Sequence, residues 1–98
     1  MTITKHQNGT NLEIALEGRL DTTTSPQLES ELRTALNGVT EFSLDPDKLD
    51  YISSAGLRVL LSAHKVMAQK GGMKVIRANE IVMEVFEVTG FADILTIE

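Results

Sequence analysis

The sequence predicts an α/β domain: a small mixed β-sheet with helices packed against it, built from all of residues 1–98. Three observations carry that expectation. Strand-like and helix-like segments alternate along the chain. Their apolar residues recur at every second position in the former and every third or fourth in the latter. Gly, Pro and Asn punctuate the boundaries between segments. A length of 98 residues suits one domain, and no linker, repeat or low-complexity stretch divides it. With 42% hydrophobic residues, 4% aromatic and no Trp, the core must be made of Leu, Ile, Val, Met and Ala.

Residues 2–7 and 11–17 alternate well enough to be strands, joined by Asn8-Gly9, a turn pair in which both residues tolerate positive φ. Gly18 is expected to end the second strand and residues 19–23 to form a loop. A helix follows. It starts either with Ser25 as its cap and Pro26 in the first helical position, or with Thr24 and Gln27 as a capping box. Leu28, Leu32, Ala35 and Leu36 share one face of it, Glu29, Glu31 and Arg33 point outward, and Asn37-Gly38 closes it. Residues 42–45 read as a short strand broken by Pro46, and residues 50–52 as a second extended piece.

From Ser54 to Gln69 the pattern is helical, stopped by Lys70-Gly71-Gly72. Leu57, Leu60, Leu61, Met67 and Ala68 form a stripe that can pack on the sheet. Val59, Ala63 and Val66 form a second stripe, for a neighbouring helix or for a partner surface adjoining Ser54. Residues 73–76 make a strand, Asn79 caps a final helix running through Val88 to a stop at Thr89-Gly90, and residues 94–97 suggest a last edge strand.

Charge and composition exclude several functions. A net charge of −5 opposes nucleic-acid binding, which needs cations to displace phosphate counterions, and opposes an anionic membrane surface. The partners expected are therefore proteins. With no Cys there is no disulfide framework, thiolate zinc site or Cys nucleophile. The N-terminal residues form no signal-peptide-like apolar run, and residues 55–68 are too short and too interrupted by Arg58, His64 and Lys65 to span a bilayer. No membrane insertion and a cytoplasmic location follow as expectations. His6 and His64 have no acid at metal or triad spacing, which makes them structural or surface residues and leaves no metal site. Ser53-Ser54-Ala55-Gly56 is not a Gly-x-Ser-x-Gly elbow, and Gly71-Gly72 lacks the Lys and Ser/Thr of a phosphate loop. No catalytic constellation is present, so a non-enzyme without cofactor is expected.

The informative stretch is Leu49-Asp50-Tyr51-Ile52-Ser53-Ser54-Ala55-Gly56-Leu57. It is a strand that delivers two hydroxyls to the mouth of a helix, where the first N–H groups lack intrahelical partners and the macrodipole is positive. Ser53 or Ser54 can cap that helix. Either could instead carry a phosphate that the helix end tolerates and a docked partner does not.

Residues 51–61, Tyr-Ile-Ser-Ser-Ala-Gly-Leu-Arg-Val-Leu-Leu, resemble the signature of STAS domains, in which Asp-Ser-Ser/Thr/Ala-Gly-Leu opens the central helix. Gly18-Arg19-Leu20-Asp21 resembles that family's Gly-Glu-Leu-Asp, Phe42-Ser43-Leu44-Asp45 its central strand, and residues 85–91 its final helix and stop, so nearly the whole chain is covered. Aligned on Gly56-Leu57, the resemblance implies that Ser54 is the phosphoacceptor of an anti-sigma factor antagonist. It also implies a partner-binding surface of Asp21, Ser53, Ser54, Ala55, Gly56 and Leu57. Ser53 departs from the pattern, standing where the family has Asp.

The partners implied are an anti-sigma factor that is a serine kinase, bound while Ser54 is unphosphorylated, and a serine phosphatase that restores binding. ATP belongs to the kinase, so the resemblance implies no cofactor. The alternative is a non-phosphorylated accessory STAS subunit of a transporter or signalling scaffold. Gly56 is expected to serve close approach by a partner or by Ser54, such that a bulky replacement impairs binding more than folding.

Overall fold

The computed structural model describes residues 1–98. Two antiparallel strands open the chain, β1 (Thr2–Asn8) and β2 (Asn11–Leu20), followed by helix α1 (Ser25–Ala35), strand β3 (Glu41–Ile52), helix α2 (Ser54–Ala68), strand β4 (Met73–Val75) and helix α3 (Glu80–Thr89). A 3-10 turn, Phe91–Asp93, precedes the C-terminus. The strands lie in the order β1-β2-β3-β4, with β1 antiparallel to β2 and the other two pairs parallel. The sheet is therefore mixed, and each parallel step is made through a helix.

Alternation sets the two faces. Leu12, Ile14 and Leu16 on β2, Phe42 and Leu44 on β3, and Met73 and Val75 on β4 lie in register and are buried. On them pack Leu28, Leu32 and Leu36 from α1, Leu57, Leu60 and Met67 from α2, and Val82 and Phe86 from α3, all within one apolar cluster. The opposite sheet face carries Glu13, Ala15, Ser43 and Asp45, partly covered by Arg77, which bonds Asp45 (2.8 Å) and Glu13 (3.1 Å). The helices thus form one layer. Fully burying each large apolar side chain contributes about 1.5–3 kcal/mol.

The structure corrects several strand boundaries. β2 runs past Gly18 to Leu20, and β3 passes through Pro46 unbroken. Leu44, Leu49 and Ile52 all face the core, yet they are separated by odd numbers of residues, which strict alternation forbids. Two bulges resolve the conflict. Pro46 and Asp47 together oppose Leu16, and Asp50 is the extra residue between the pairs Gly18–Leu49 and Arg19–Tyr51. Pro46 sits where the ladder is already interrupted, so its missing N–H costs no regular hydrogen bond.

Asn79 reaches the irregular stretch of β3. Its side-chain amide donates to Asp47 O (2.7 Å) and Leu49 O (2.9 Å), while its Oδ1 accepts from Val82 N (2.8 Å) and caps α3. The expected last strand at residues 94–97 is reduced to one bridge, Val75–Ile97. β4 is three residues long and has little edge to offer. The second stripe of α2 meets α1: Val59 and Ala63 are buried, and Val66 remains half exposed in the groove between the helices.

The turn after α2 passes tightly over the start of β3. A Cβ on Gly71 would fall 1.8 Å from Thr40 O, and Thr40 N is itself bonded to Thr10 O (2.8 Å) where β2 begins. Backbone held this way cannot retreat. Gly71→Ala is expected to lower unfolding stability by about 1–3 kcal/mol, measured as a drop in the urea midpoint at unchanged slope.

Candidate functional site

The carboxyl ends of β2 and β3 meet at a single junction. Leu20 pairs with Ile52, and Ser53 N donates to Leu20 O (2.9 Å), carrying the chain from strand to helix. Ser53 is the cap of α2: its backbone is extended (φ −96°, ψ 173°), its Oγ accepts from Gly56 N (3.3 Å) and its carbonyl from Leu57 N (2.9 Å). The alternative of Ser54 as cap is thereby resolved. Ser54 is the first helical residue and is exposed to solvent, beside the unpaired N–H groups of the helix end.

Gly56 and Leu57 face inward. Leu57 is buried, and a Cβ on Gly56 would stand 2.7 Å from Leu20 Cγ and 3.1 Å from Leu20 O. The close approach expected at Gly56 is thus made by the chain's own Leu20. Ala55, by contrast, is half-buried and opens on a cleft of about 210 Å³ lined also by Thr22, Ser25, Pro26, Glu29, Arg58, Val59 and Ser62. A second groove, about 340 Å³, lies further along between α1 and α2 and does not reach Ser54. It shares Glu29, Val59 and Ser62 with the cleft.

Asp21 directly follows the Leu20 that bonds Ser53 and so adjoins the junction. Its role within the chain is to hold the entry to α1. Oδ1 accepts from Thr23 Oγ1 (2.7 Å), Thr23 N (2.9 Å) and Thr24 N (3.0 Å), while Asp21 N donates to Thr24 Oγ1 (2.8 Å). That reciprocal pair is a capping box shifted three residues before the expected one. Thr24 makes no side-chain cap bond of its own to α1, and Pro26 lies in the first turn. The Thr23 hydroxyl and the Thr24 and Thr23 amides stabilise the ionised carboxylate and lower its pKa from 3.8 to about 2.

Two residues at this end carried no expectation. Arg19 lies 4.3 Å over the Tyr51 ring and 3.6 Å from Asp21 Oδ2. Arg58, one turn beyond Ser54, stands outside every ion pair. The i, i+4 spacing of Ser54 and Arg58 was the available signal. His6 is exposed. His64 is partly buried, and its Nδ1 is shielded without a hydrogen-bond partner. No group of three or more His, Asp or Glu side chains is placed to hold a metal ion, and no helix is long and apolar enough to cross a membrane.

This arrangement defines a class: a small two-layer α/β module presenting a hydroxyl at a strand-to-helix junction. The chain belongs to the STAS domain family, whose model matches residues 2–98. It is 39% identical over 84 residues to BtrV of Bordetella bronchiseptica, a protein assigned as an anti-sigma factor antagonist, covering 84% of this chain and 72% of BtrV. It is 25% identical over 92 residues to the anti-sigma-B factor antagonist of Bacillus subtilis, covering 93% and 84%. The fold matches the anti-sigma factor antagonist SpoIIAA of Bacillus in its unphosphorylated form (TM-score 0.84, 19% identity, 99% of this chain and 88% of that one). It also matches the phosphorylated form (TM-score 0.76, 18% identity, 99% and 91%).

Two outcomes follow from the junction. Gly56→Val is expected to be a folding variant, losing about 1–3 kcal/mol because Leu20 O cannot move away, in contrast to the binding defect expected from sequence; urea unfolding measures it. Asp21 has a depressed folded-state pKa, so its stabilisation is present above the unfolded value of 3.8 and is lost as pH falls toward about 2. The stability gap between the native protein and Asp21→Asn should accordingly hold at neutral pH and close across that interval, read from urea midpoints at successive pH values.

Proposed function

We propose that this protein is an anti-sigma factor antagonist of the cytoplasm, whose binding to an anti-sigma factor kinase is switched by phosphorylation of Ser54. The observation that carries the reading is the division of labour at the head of α2: Ser53 makes the cap bond, and Ser54 stands exposed and free of that duty. The relatives support it. BtrV and the anti-sigma-B factor antagonist bear the function in their names, and SpoIIAA, with the same fold, exists in unphosphorylated and phosphorylated forms.

In the transfer, Ser54 Oγ forms a bond to the γ-phosphorus of ATP as the bond to ADP breaks, and the hydroxyl proton passes to a base on the kinase. The product carries about −1.5 to −2 charges. The helix end tolerates them, because its N–H groups and dipole favour an anion. A partner packed over Ser54, Ala55, Asp21 and the adjoining cleft would have to desolvate them, so the complex weakens while the domain stays folded. Gly56 and Leu57 contribute by fixing the junction from within. A serine phosphatase then restores binding, and no cofactor of this chain takes part. The Ser that replaces the family's Asp at position 53 favours the second reading, an accessory STAS subunit that is never phosphorylated.

Ser54→Asp is expected to bind the kinase about 5–150-fold more weakly than Ser54→Ala, corresponding to a coupling of about 1–3 kcal/mol, by calorimetry. Peptide mass spectrometry after incubation with kinase and ATP should place phosphate on Ser54 and not Ser53. Equal affinities sink the switch, phosphate confined to Ser53 overturns the register, and no phosphate from an active kinase favours the accessory subunit.

A further inference from the structure

Arg58 is the one cation on the first two turns of α2, and nothing in the fold uses its charge. The six ion pairs of the structure engage Lys5, Arg19, Arg33, Lys74 and Arg77, but not Arg58. Helix α2 contains no acidic residue that could bind it. Of the acids on neighbouring elements, Glu29 of α1 shares the cleft with Arg58 but is paired with Arg33 at 3.3 Å. Asp21 is occupied by Thr23, Thr24 and Arg19, and Arg19 is held over Tyr51. Arg58 is exposed.

Helix geometry puts Ser54 within its reach. Long side chains on an α-helix lean toward the N-terminus and cover the turn before their own Cα. For Arg58 that turn begins at Ser54, four residues earlier, where Cβ atoms are about 5–6 Å apart. Ser54 is exposed as well.

We propose that Arg58 is the built-in counter-ion of a phosphate on Ser54. This deepens the reading of Ser54 as phosphoacceptor and rests on it. The guanidinium fork matches two phosphate oxygens, so phosphorylation draws Arg58 back over the first turn and away from the cleft formed with Thr22, Pro26, Glu29 and Ala55. The modified surface then differs from the unmodified one twice: a dianion is added at Ser54, and a cation is withdrawn from the cleft.

The test uses full-length protein with phosphoserine encoded at position 54, which removes any dependence on a kinase. Phosphorus NMR titration should give a second phosphate pKa, ordinarily about 6, lower by at least about half a unit in the native background than in Arg58→Gln. Arg58→Lys should recover part of the shift, as a point charge without the fork. The Arg58 Nε–H signal should be protected from water exchange only when the phosphate is present. Because Arg58 is exposed, the variants are expected to fold, which the melting temperature of each checks. Equal pKa values in the native and Arg58→Gln backgrounds overturn the proposal, even if a kinase modifies Ser54. A kinase that ignores Ser54 overturns the functional reading and leaves the titration result standing.

Discussion

The backbone of Gly56 lies against Leu20 so closely that a Cβ would come within 2.7 Å of Leu20 Cγ, and Leu20 O accepts from Ser53 N. This contact ties the end of β2 to the first turn of α2 at a fixed distance. The rest of the candidate site takes its position from it. Ser53 is held extended at the end of β3, its Oγ over Gly56 N, and Ser54 is directed to solvent by the helical geometry that follows. On the other side of Leu20, Asp21 begins the turn into α1. One close approach between a strand end and a glycine therefore sets the spacing between both helix entries. A site whose function is to present a hydroxyl needs rigid support rather than a pocket, and the buried Leu20, Ile52 and Leu57 supply it.

The support continues down β3. A strand that must place Leu44, Leu49 and Ile52 on one face cannot be regular, and its register shifts at two bulges. Across this irregular stretch, Asn79 donates its amide to Asp47 O and Leu49 O and caps α3 with its oxygen. The third helix is thus docked on the irregular part of β3 by the residue that also begins it. Arg77, at φ 53°, turns the chain toward Asn79 and is held there by Asp45 and Glu13.

The elements with strong local signals were legible in the sequence. The hairpin forms where Asn8-Gly9 signalled it, although its two turn residues are Gly9 and Thr10 and Asn8 still pairs with Asn11, and Asn79 caps the last helix. The two stripes on the central helix face the sheet and α1, save that Leu61 is only partly buried and Val66 and Ala68 are exposed. The missed strand boundaries share one physical origin: pairing with distant residues overrode a local breaker. Gly18 and Pro46 are poor strand residues alone, but each lies between well-paired stretches of β2 and β3. The odd spacing of Leu44, Leu49 and Ile52 did encode the bulges, although only once all three are known to face one core. Asp21 as the true cap of the α1 entry was hidden because Thr24 and Gln27 fit the same rule three residues later. At the junction, two adjacent serines satisfy the capping rule equally, and only the extended backbone of Ser53 separates them.

The Ser at position 53 bears directly on what the junction can carry. Asp and Ser are comparable caps, each offering an oxygen to the amide two or three residues on, so the exchange keeps the bond from Gly56 N. It removes a carboxylate from the position adjacent to Ser54. A dianion on Ser54 would then meet the helix end and Arg58 without a charged neighbour at 53, whereas an Asp there would add a like charge nearby. Asp21 follows the Leu20 that bonds Ser53, and its charge is already engaged by the Thr23 and Thr24 donors and by Arg19. The local field at the head of α2 is therefore more favourable to phosphate with Ser53 than with the family's Asp. The replacement therefore leaves the head of α2 no less able to hold an anion.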